Sequence, residues 1–244
     1  MTATINHPDF IQPKNPNVKL WRYMDLTQLI SMLSRESLFF CRSDLFEDKF
    51  EGSNSEVNIE IRKQIFEKFG ESDIRQELKK EMHDQIKACT YICCWHLNDF
   101  ESAAMWKIYG KTNSGIAIET DYSTLVRLLP ENIHAGLIKY IDYNCERIND
   151  NNLFSFFMHK RKSFIHEQEV RLIFTDTTNL EQGSNYQDNA KGKEITIDLN
   201  EMIKTIHVAP TAEEWIYEAI KDVVKKYRIK AEVKQSELYS KQLY

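Results

Sequence analysis

Two glutamates and an arginine recur at every second position in Glu167-Gln168-Glu169-Val170-Arg171, and Lys160 and Lys162 stand just upstream. In a strand, residues two apart share a face. Glu167, Glu169, Arg171 and Ile173 then lie on one side, and Gln168, Val170, Leu172 and Phe174 on the other. Val, Ile and Phe suit a pleated, half-buried surface, which predicts a strand here. Paired carboxylates can take up a proton or stabilise a developing cation. With a guanidinium on the same face they can equally form a structural ion network. The stretch leaves both open, and a functional role needs partners from elsewhere in the chain.

The elements that would position such partners follow from local pattern. Val18 to Tyr23 reads as a strand, with Leu20 and Arg22 on one face. Asp25 with Gln28 three residues on resembles a capping box, and Leu26, Leu29, Ile30 and Leu33 form the apolar stripe of the helix it starts. Leu38 to Arg42 is a short strand, followed by an acidic and aromatic loop from Ser43 to Gly52 that is expected to pack Phe46 and Phe50 underneath. Residues 54–88 mix charge at helical spacing and read as one or two helices, broken around Gly70 and Ser72, inserted into the domain. Thr90 to Trp95 is a buried strand, and Glu101 to Tyr109 a short helix with Met105, Trp106 and Tyr109 on one face and Gly110 at a left-handed cap. Strands at Gly115–Glu119 and Leu137–Tyr143 and a helix over 149–163 lead into the opening stretch. After it, strands at Glu194–Leu199, Thr205–Ala209 and Ile229–Gln235 surround a helix from Thr211 to Tyr227. This irregular alternation predicts an α+β fold, a single domain from 18 to 244 behind a flexible segment 1–17. Its sheet is mixed and largely antiparallel, split or continuous, with flanking helices and a charged helical insertion.

Bulk properties bound the function. The 244 residues suffice for a sizeable core. Of them 42% are hydrophobic and 28% charged, ordinary for a soluble protein. A net charge of -5 provides no general basic field for a phosphate backbone, so any nucleic-acid contact needs a local patch. Five cysteines without framework spacing suggest reduced thiols and a cytoplasmic setting. Met1 to Asn17 lacks an apolar core and predicts no secretory signal, and no run reaches the roughly 18 apolar residues of a membrane span. Gly-rich phosphate loops, a G-x-S-x-G elbow and H-E-x-x-H are all missing. Cys89, Cys93, Cys94 and His96 lack a second ligand pair at zinc spacing, and the acidic loop lacks the calcium-loop glycine, so no metal is expected.

Several stretches together resemble the bacterial family catalogued as domain of unknown function 2971. They are Leu20-Trp21-Arg22-Tyr23, the loop Phe40 to Gly52, Cys94-Trp95-His96 followed by Met105 to Gly110, Gly115 to Ile118, and Lys162-Ser163-Phe164 leading into Glu167 to Arg171. The order of motifs is also similar, more distantly, to the ADP-ribosyltransferase superfamily of the Arg-Ser-Glu class. That resemblance implies NAD as substrate, with Arg22 on its phosphates or ribose and Glu169 and Glu167 as the catalytic pair. Glu169 would stabilise the charge on the ribose as nicotinamide leaves, and Glu167 would orient or deprotonate the nucleophile. Tyr23, Trp95, Trp106, Tyr109 and Arg171 complete the cofactor-binding set, with Tyr23, Trp106 or Tyr109 stacking on the nicotinamide ring. The strand Cys93-Cys94-Trp95 departs from the class in lacking its hydroxyls. A protein or nucleic-acid acceptor and a role in bacterial stress or phage defence belong to the same implied context.

Three functions therefore stand side by side. One is an NAD-consuming transferase or glycohydrolase. A second is a nuclease holding Mg²⁺ through Asp44, Asp48, Glu51 and Glu119, with Lys160 and Lys162 on phosphate. The third is a non-catalytic sensor that meets its partner through helices 54–88.

Overall fold

The computed structural model describes residues 3–69, 73–110, 113–150, 152–178 and 190–239. The chain begins with β1 (Lys19–Met24) and α1 (Leu26–Arg35). The capping box is complete. Asp25 accepts from the Gln28 backbone N–H at 2.7 Å, and Gln28 Oε1 accepts from the Asp25 N–H at 3.0 Å. After β2 (Ser37–Arg42) come two charged helices, α2 (Glu56–Phe69) and α3 (Asp73–Cys89); the break expected between them lies outside the described residues. Their base is tied to the body. Asn58, buried, exchanges two hydrogen bonds of 2.8 Å with the Ile148 backbone, and Arg62 pairs with Asp150 at 3.1 Å.

The remaining elements are β3 (Thr90–Leu97), α4 (Ala103–Tyr109), β4 (Ile116–Asp121), α5 (Tyr122–Leu128), β5 (His134–Leu137), β6 (Lys139–Ile141), β7 (His159–Arg161) and β8 (Glu169–Thr175), then β9 (Gly192–Thr196), α6 (Leu199–Met202), β10 (Thr205–Val208), α7 (Glu214–Lys226) and β11 (Glu232–Gln235). Along the main path the strand order is β11-β10-β4-β1-β3-β2-β9, with β8 on β3 and β5 on β8. Pairings in this sheet are antiparallel except β10 with β11; β6 and β7 form a separate parallel pair. The predicted mixed, largely antiparallel α+β architecture is the one observed.

Alternation sorts the strands into two packed faces. One carries Leu20, Leu38, Trp95, Ile118, Val170 and Ile206 and is covered by α1, α5 and α7 through Leu29, Leu125 and Ile220. On the other face, Ile92 and Ile173 pack on Phe157 and Met158, and farther along Trp21, Tyr23 and Ala117 pack on Met105 and Trp106 of α4. Burying both faces removes most of the sheet from water, the main favourable contribution to folding.

Several local expectations need correction. The stretch read as a flexible lead is packed from Ala3 onward. The Ala3 N–H donates to Val126 O at 2.9 Å, Thr4 and Ile11 bridge to β5, and Phe10 is buried. The helix expected over 149–163 is a 3-10 turn at Leu153–Met158, started by the Asn152 side chain, which then gives way to β7. The single strand expected at Leu137–Tyr143 is two, because the pairing with β8 ends at Ile138, whose N–H donates to Glu169 O at 2.9 Å, and β6 joins β7 instead. Gly110 closes α4 with φ −89°, so it is no left-handed cap. Phe50 is not underneath its loop but 42% exposed, 4.5 Å from the Arg161 guanidinium.

Candidate functional site

The site begins with a branch in the sheet. One edge of β3 pairs with β8 from Thr90 to His96. The other edge is shared. β1 pairs there at His96 and Leu97, β2 at Tyr91 and Ile92, and among the described residues no strand pairs in between. Because Leu97 N–H donates to Gln168 O at 2.9 Å, antiparallel alternation turns the backbone groups of Trp95 and Cys93 toward β8. Those of His96, Cys94 and Ile92 then point to the shared edge, and Asn98 N–H, next in phase, donates to Lys19 O of β1 at 3.3 Å. The N–H and C=O of Cys94 therefore aim into the gap where β1 and β2 part.

A cavity of about 660 Å³ occupies this gap, within the range of small-molecule sites. Of the residues singled out in the sequence, Arg22, Tyr23, Trp95, Tyr109, Glu167 and Glu169 line it. Trp106 and Arg171 do not. Trp106 is buried under α4, its indole N–H donating to Glu101 at 2.9 Å, so it belongs to the core. Arg171 is 0% exposed, and each of its three nitrogens has a fixed partner: Glu169 at 2.7 Å, Phe157 O at 2.6 Å and Glu51 at 2.7 Å. That places the guanidinium behind the carboxylates instead of against a ligand.

Glu167 also departs from expectation. It ends a 3-10 turn at Lys162–Glu167, and Gln168 adopts a left-handed conformation (φ 40°, ψ 54°) before β8 starts at Glu169. The two glutamates are thus not on one strand face, yet Lys160 of β7 gathers them, at 2.6 Å from Glu167 and 3.2 Å from Glu169. Lys160 also meets Glu51 at 3.1 Å. All five groups are buried.

Their environments push the two cavity carboxyls apart. Burial raises Glu167, and the neighbouring Glu169 and Glu51 add to that, with Lys160 only partly offsetting them. Burial also presses on Glu169, but Arg171 and Lys160 outweigh it and hold this carboxyl below the usual range. Lys160 itself loses hydration on burial, yet Glu169 and Glu51 keep it firmly protonated. Burial raises the Cys94 thiol well above its ordinary value.

Around this pair the walls are aromatic and cationic. Arg22 donates to Cys93 Sγ at 3.0 Å and Phe39 O at 3.2 Å, and its guanidinium lies 5.9 Å from the Trp95 ring. These partners are neutral, and among the described residues no carboxylate pairs with Arg22. Tyr23 is pinned by accepting the Ser102 N–H at 2.8 Å. At the far end Arg35 pairs with Glu194 at 3.2 Å, and Ser37 donates to the same carboxylate.

His96 was read in the sequence as a zinc candidate and as part of the Cys94-Trp95-His96 motif, with no role toward Glu167. It is buried, and its Nδ1 donates to the Glu167 carbonyl at 2.5 Å, which fixes the turn carrying that glutamate. Among the described residues no three His, Cys, Asp or Glu side chains are placed to hold a metal. The four carboxylates offered for Mg²⁺ are engaged separately: Asp44 by Arg42, Asp48 by Arg161, Glu51 by Lys160 and Arg171, and Glu119 by Lys19 and His207. Lys162 turns outward to Glu146.

No family model and no curated protein matches the chain, so the likeness to domain of unknown function 2971 finds no support there. Among solved structures the chain is similar to DarT of Thermus sp. 2.9. In complex with NAD+, that protein gives a TM-score of 0.44 and 9% identity over 93% of this chain and 98% of that one. In complex with ADP-ribosylated ssDNA, the values are 0.43 and 9% over 93% and 97%. At this level of similarity the chemistry has to be read from this chain's own side chains. Among the described residues no helix is long and apolar enough to cross a membrane.

Proposed function

We propose that this chain cleaves the nicotinamide N-glycosidic bond of NAD and passes the ADP-ribosyl group to an acceptor or to water. The observation that carries the reading is the gap at Cys94. A strand edge without its neighbour presents one N–H and one C=O side by side, the complement of a primary carboxamide, and nicotinamide bears one. The same cavity holds the two further groups that this substrate needs. Arg22, whose partners are neutral, is free to meet the diphosphate, where a planar guanidinium suits the geometry. Glu167 and Glu169 line the same cavity and can meet the ribose.

The chemistry follows from those positions. The bond between ribose C1′ and the pyridinium nitrogen breaks, its electron pair goes to the nitrogen, and nicotinamide leaves neutral. Positive charge develops on the ribosyl carbon, and the ionised Glu169 stabilises it. The acceptor's O–H or N–H attacks that carbon and gives its proton to Glu167, whose raised basicity suits the task. Tyr23, Trp95 and Tyr109 supply apolar walls for the ring and ribose. The exposed Ile65, Leu78 and Met82 of the α2–α3 pair support a macromolecular contact there.

The test is nicotinamide release from NAD by the purified protein, beside a Glu169→Gln control, with NAD-induced thermal stabilisation measured on the same samples. Release in the wild type and its loss in the control is the expected result. A protein that neither turns over nor binds NAD would end this reading and leave the carboxylate cluster structural.

A further inference from the structure

Glu51 lies outside the cavity, yet it touches both cations that hold the cavity's carboxylates. Its Oε1 is 3.1 Å from Lys160 Nζ and its Oε2 is 2.7 Å from Arg171 Nη2, and only 7% of its side chain is exposed. The loop that delivers it is fixed on either side. Asp48 is held by Arg161 at 2.9 Å, and the Glu51 N–H donates to Asp48 O at 3.1 Å. Gly52 follows with φ +70°, and a Cβ there would stand 2.7 Å from the Phe157 ring, so only glycine lets the loop close onto the cluster.

The buried ionic groups here are Glu51, Glu167 and Glu169 against Lys160 and Arg171, which leaves one carboxylate in excess. The other titratable side chains at the cluster, Tyr109, Tyr140, Tyr143, Cys94 and His96, are neutral at neutral pH, burial raising the first four and lowering the histidine. Without Glu51 the two cations would neutralise the two cavity glutamates one for one. A cavity meant to receive a pyridinium and then a ribosyl cation needs the surplus charge at its wall.

We infer that Glu51 is a positioning residue, which by engaging Lys160 and Arg171 from behind leaves the net negative charge of the cluster on the glutamates that face the cavity. Its consequence for catalysis rests on the NAD reading given above, but the charge arrangement itself does not. The part is that of a counter-ion, distinct from any contact with substrate.

Two readouts on the full chain test it. Carbon-detected NMR titration of labelled glutamate carboxyls, assigned with Glu167→Gln, should find Glu167 protonating above the ordinary glutamate range in the wild type. Glu51→Gln should lower that midpoint by about one pH unit. In nicotinamide release, Glu51→Gln should lower kcat about tenfold with KM changed less than about twofold, and Glu51→Asp should recover part of the loss. A Glu167 midpoint that is ordinary or low in the wild type, or unmoved in Glu51→Gln, would overturn the assignment. If Glu51→Gln does not fold, Glu51→Asp carries the titration: its shortened carboxylate withdraws from the two cations and the Glu167 midpoint should fall by part of that unit, an unmoved midpoint overturning the assignment. Should the wild type release no nicotinamide, the NAD reading falls while the titration still decides for or against Glu51.

Discussion

Arg171 and Glu51 are 120 residues apart in sequence and 2.7 Å apart in space, the guanidinium fully enclosed. Replacing Arg171 by methionine would leave Glu51, Glu167 and Glu169 sharing one ammonium in a buried site. Breaking such a pair from one side destabilises by about 3–5 kcal/mol, most of it the cost of the charge left behind. The expected outcome for Arg171→Met is a loss of that size in urea unfolding. A midpoint within error of wild type would show that water reaches the cluster and relieves it.

Acid should weaken the fold over a defined interval. His207 and Lys19 hold the Glu119 carboxyl at about 2 against the opposing effect of burial, and Glu169 is also held low. A carboxyl depressed in the folded state contributes stability that is complete above its ordinary value of 4.5 and lost as pH falls toward its folded value. Glu167 runs the other way, since its raised value favours the fold below the ordinary range and that contribution fades as pH rises. Burial also lowers His83, His96, His134 and His159, so urea midpoints measured from pH 6 down to pH 2 should fall gently at first and steepen between about 4.5 and 2. Glu119→Gln should shallow that drop.

The gap at Cys94 predicts a ligand preference that does not depend on turnover. A carboxamide can donate to the Cys94 carbonyl and accept from its N–H, whereas a carboxylate of the same shape can only accept. Nicotinamide should therefore bind about tenfold or more tightly than nicotinate, because the carboxylate leaves a buried acceptor facing another acceptor. Calorimetry or ligand-observed NMR decides it. Equal binding would mean that the ring sits elsewhere.

What the sequence disclosed was local. Asp25 and Gln28 stand three residues apart, and their reciprocal bonds form as the spacing implies. The strand at Glu169–Thr175 follows from alternation alone. Alternation tells which residues share a face but not how deep the face lies, so Arg171 looked available to a ligand and is instead sealed behind Glu169. Gln168 shows the opposite limit. Its left-handed turn is set by Leu97 and Ile165 backbone contacts from either side, and nothing in Glu-Gln-Glu announces it. Glu51 belonged to an acidic loop with no visible partner because both partners are more than a hundred residues away. The branch at β3 is likewise a matter of register between distant strands, which no short window contains.

That branch has a kinetic signature. Along β3 the amides of Ile92 and His96 are turned to strands on the shared edge, and those of Cys93 and Trp95 to β8, so their exchange with deuterium waits on opening of the sheet. Cys94 sits in the middle of the same protected strand with an amide that opens directly on the cavity. It should exchange orders of magnitude faster than either neighbour, a single quick site in a slow element. A molecule seated in the gap with its carbonyl on that N–H would slow it while leaving Cys93 and Trp95 as they were. The strand thus carries its own occupancy gauge, readable residue by residue without label or catalysis.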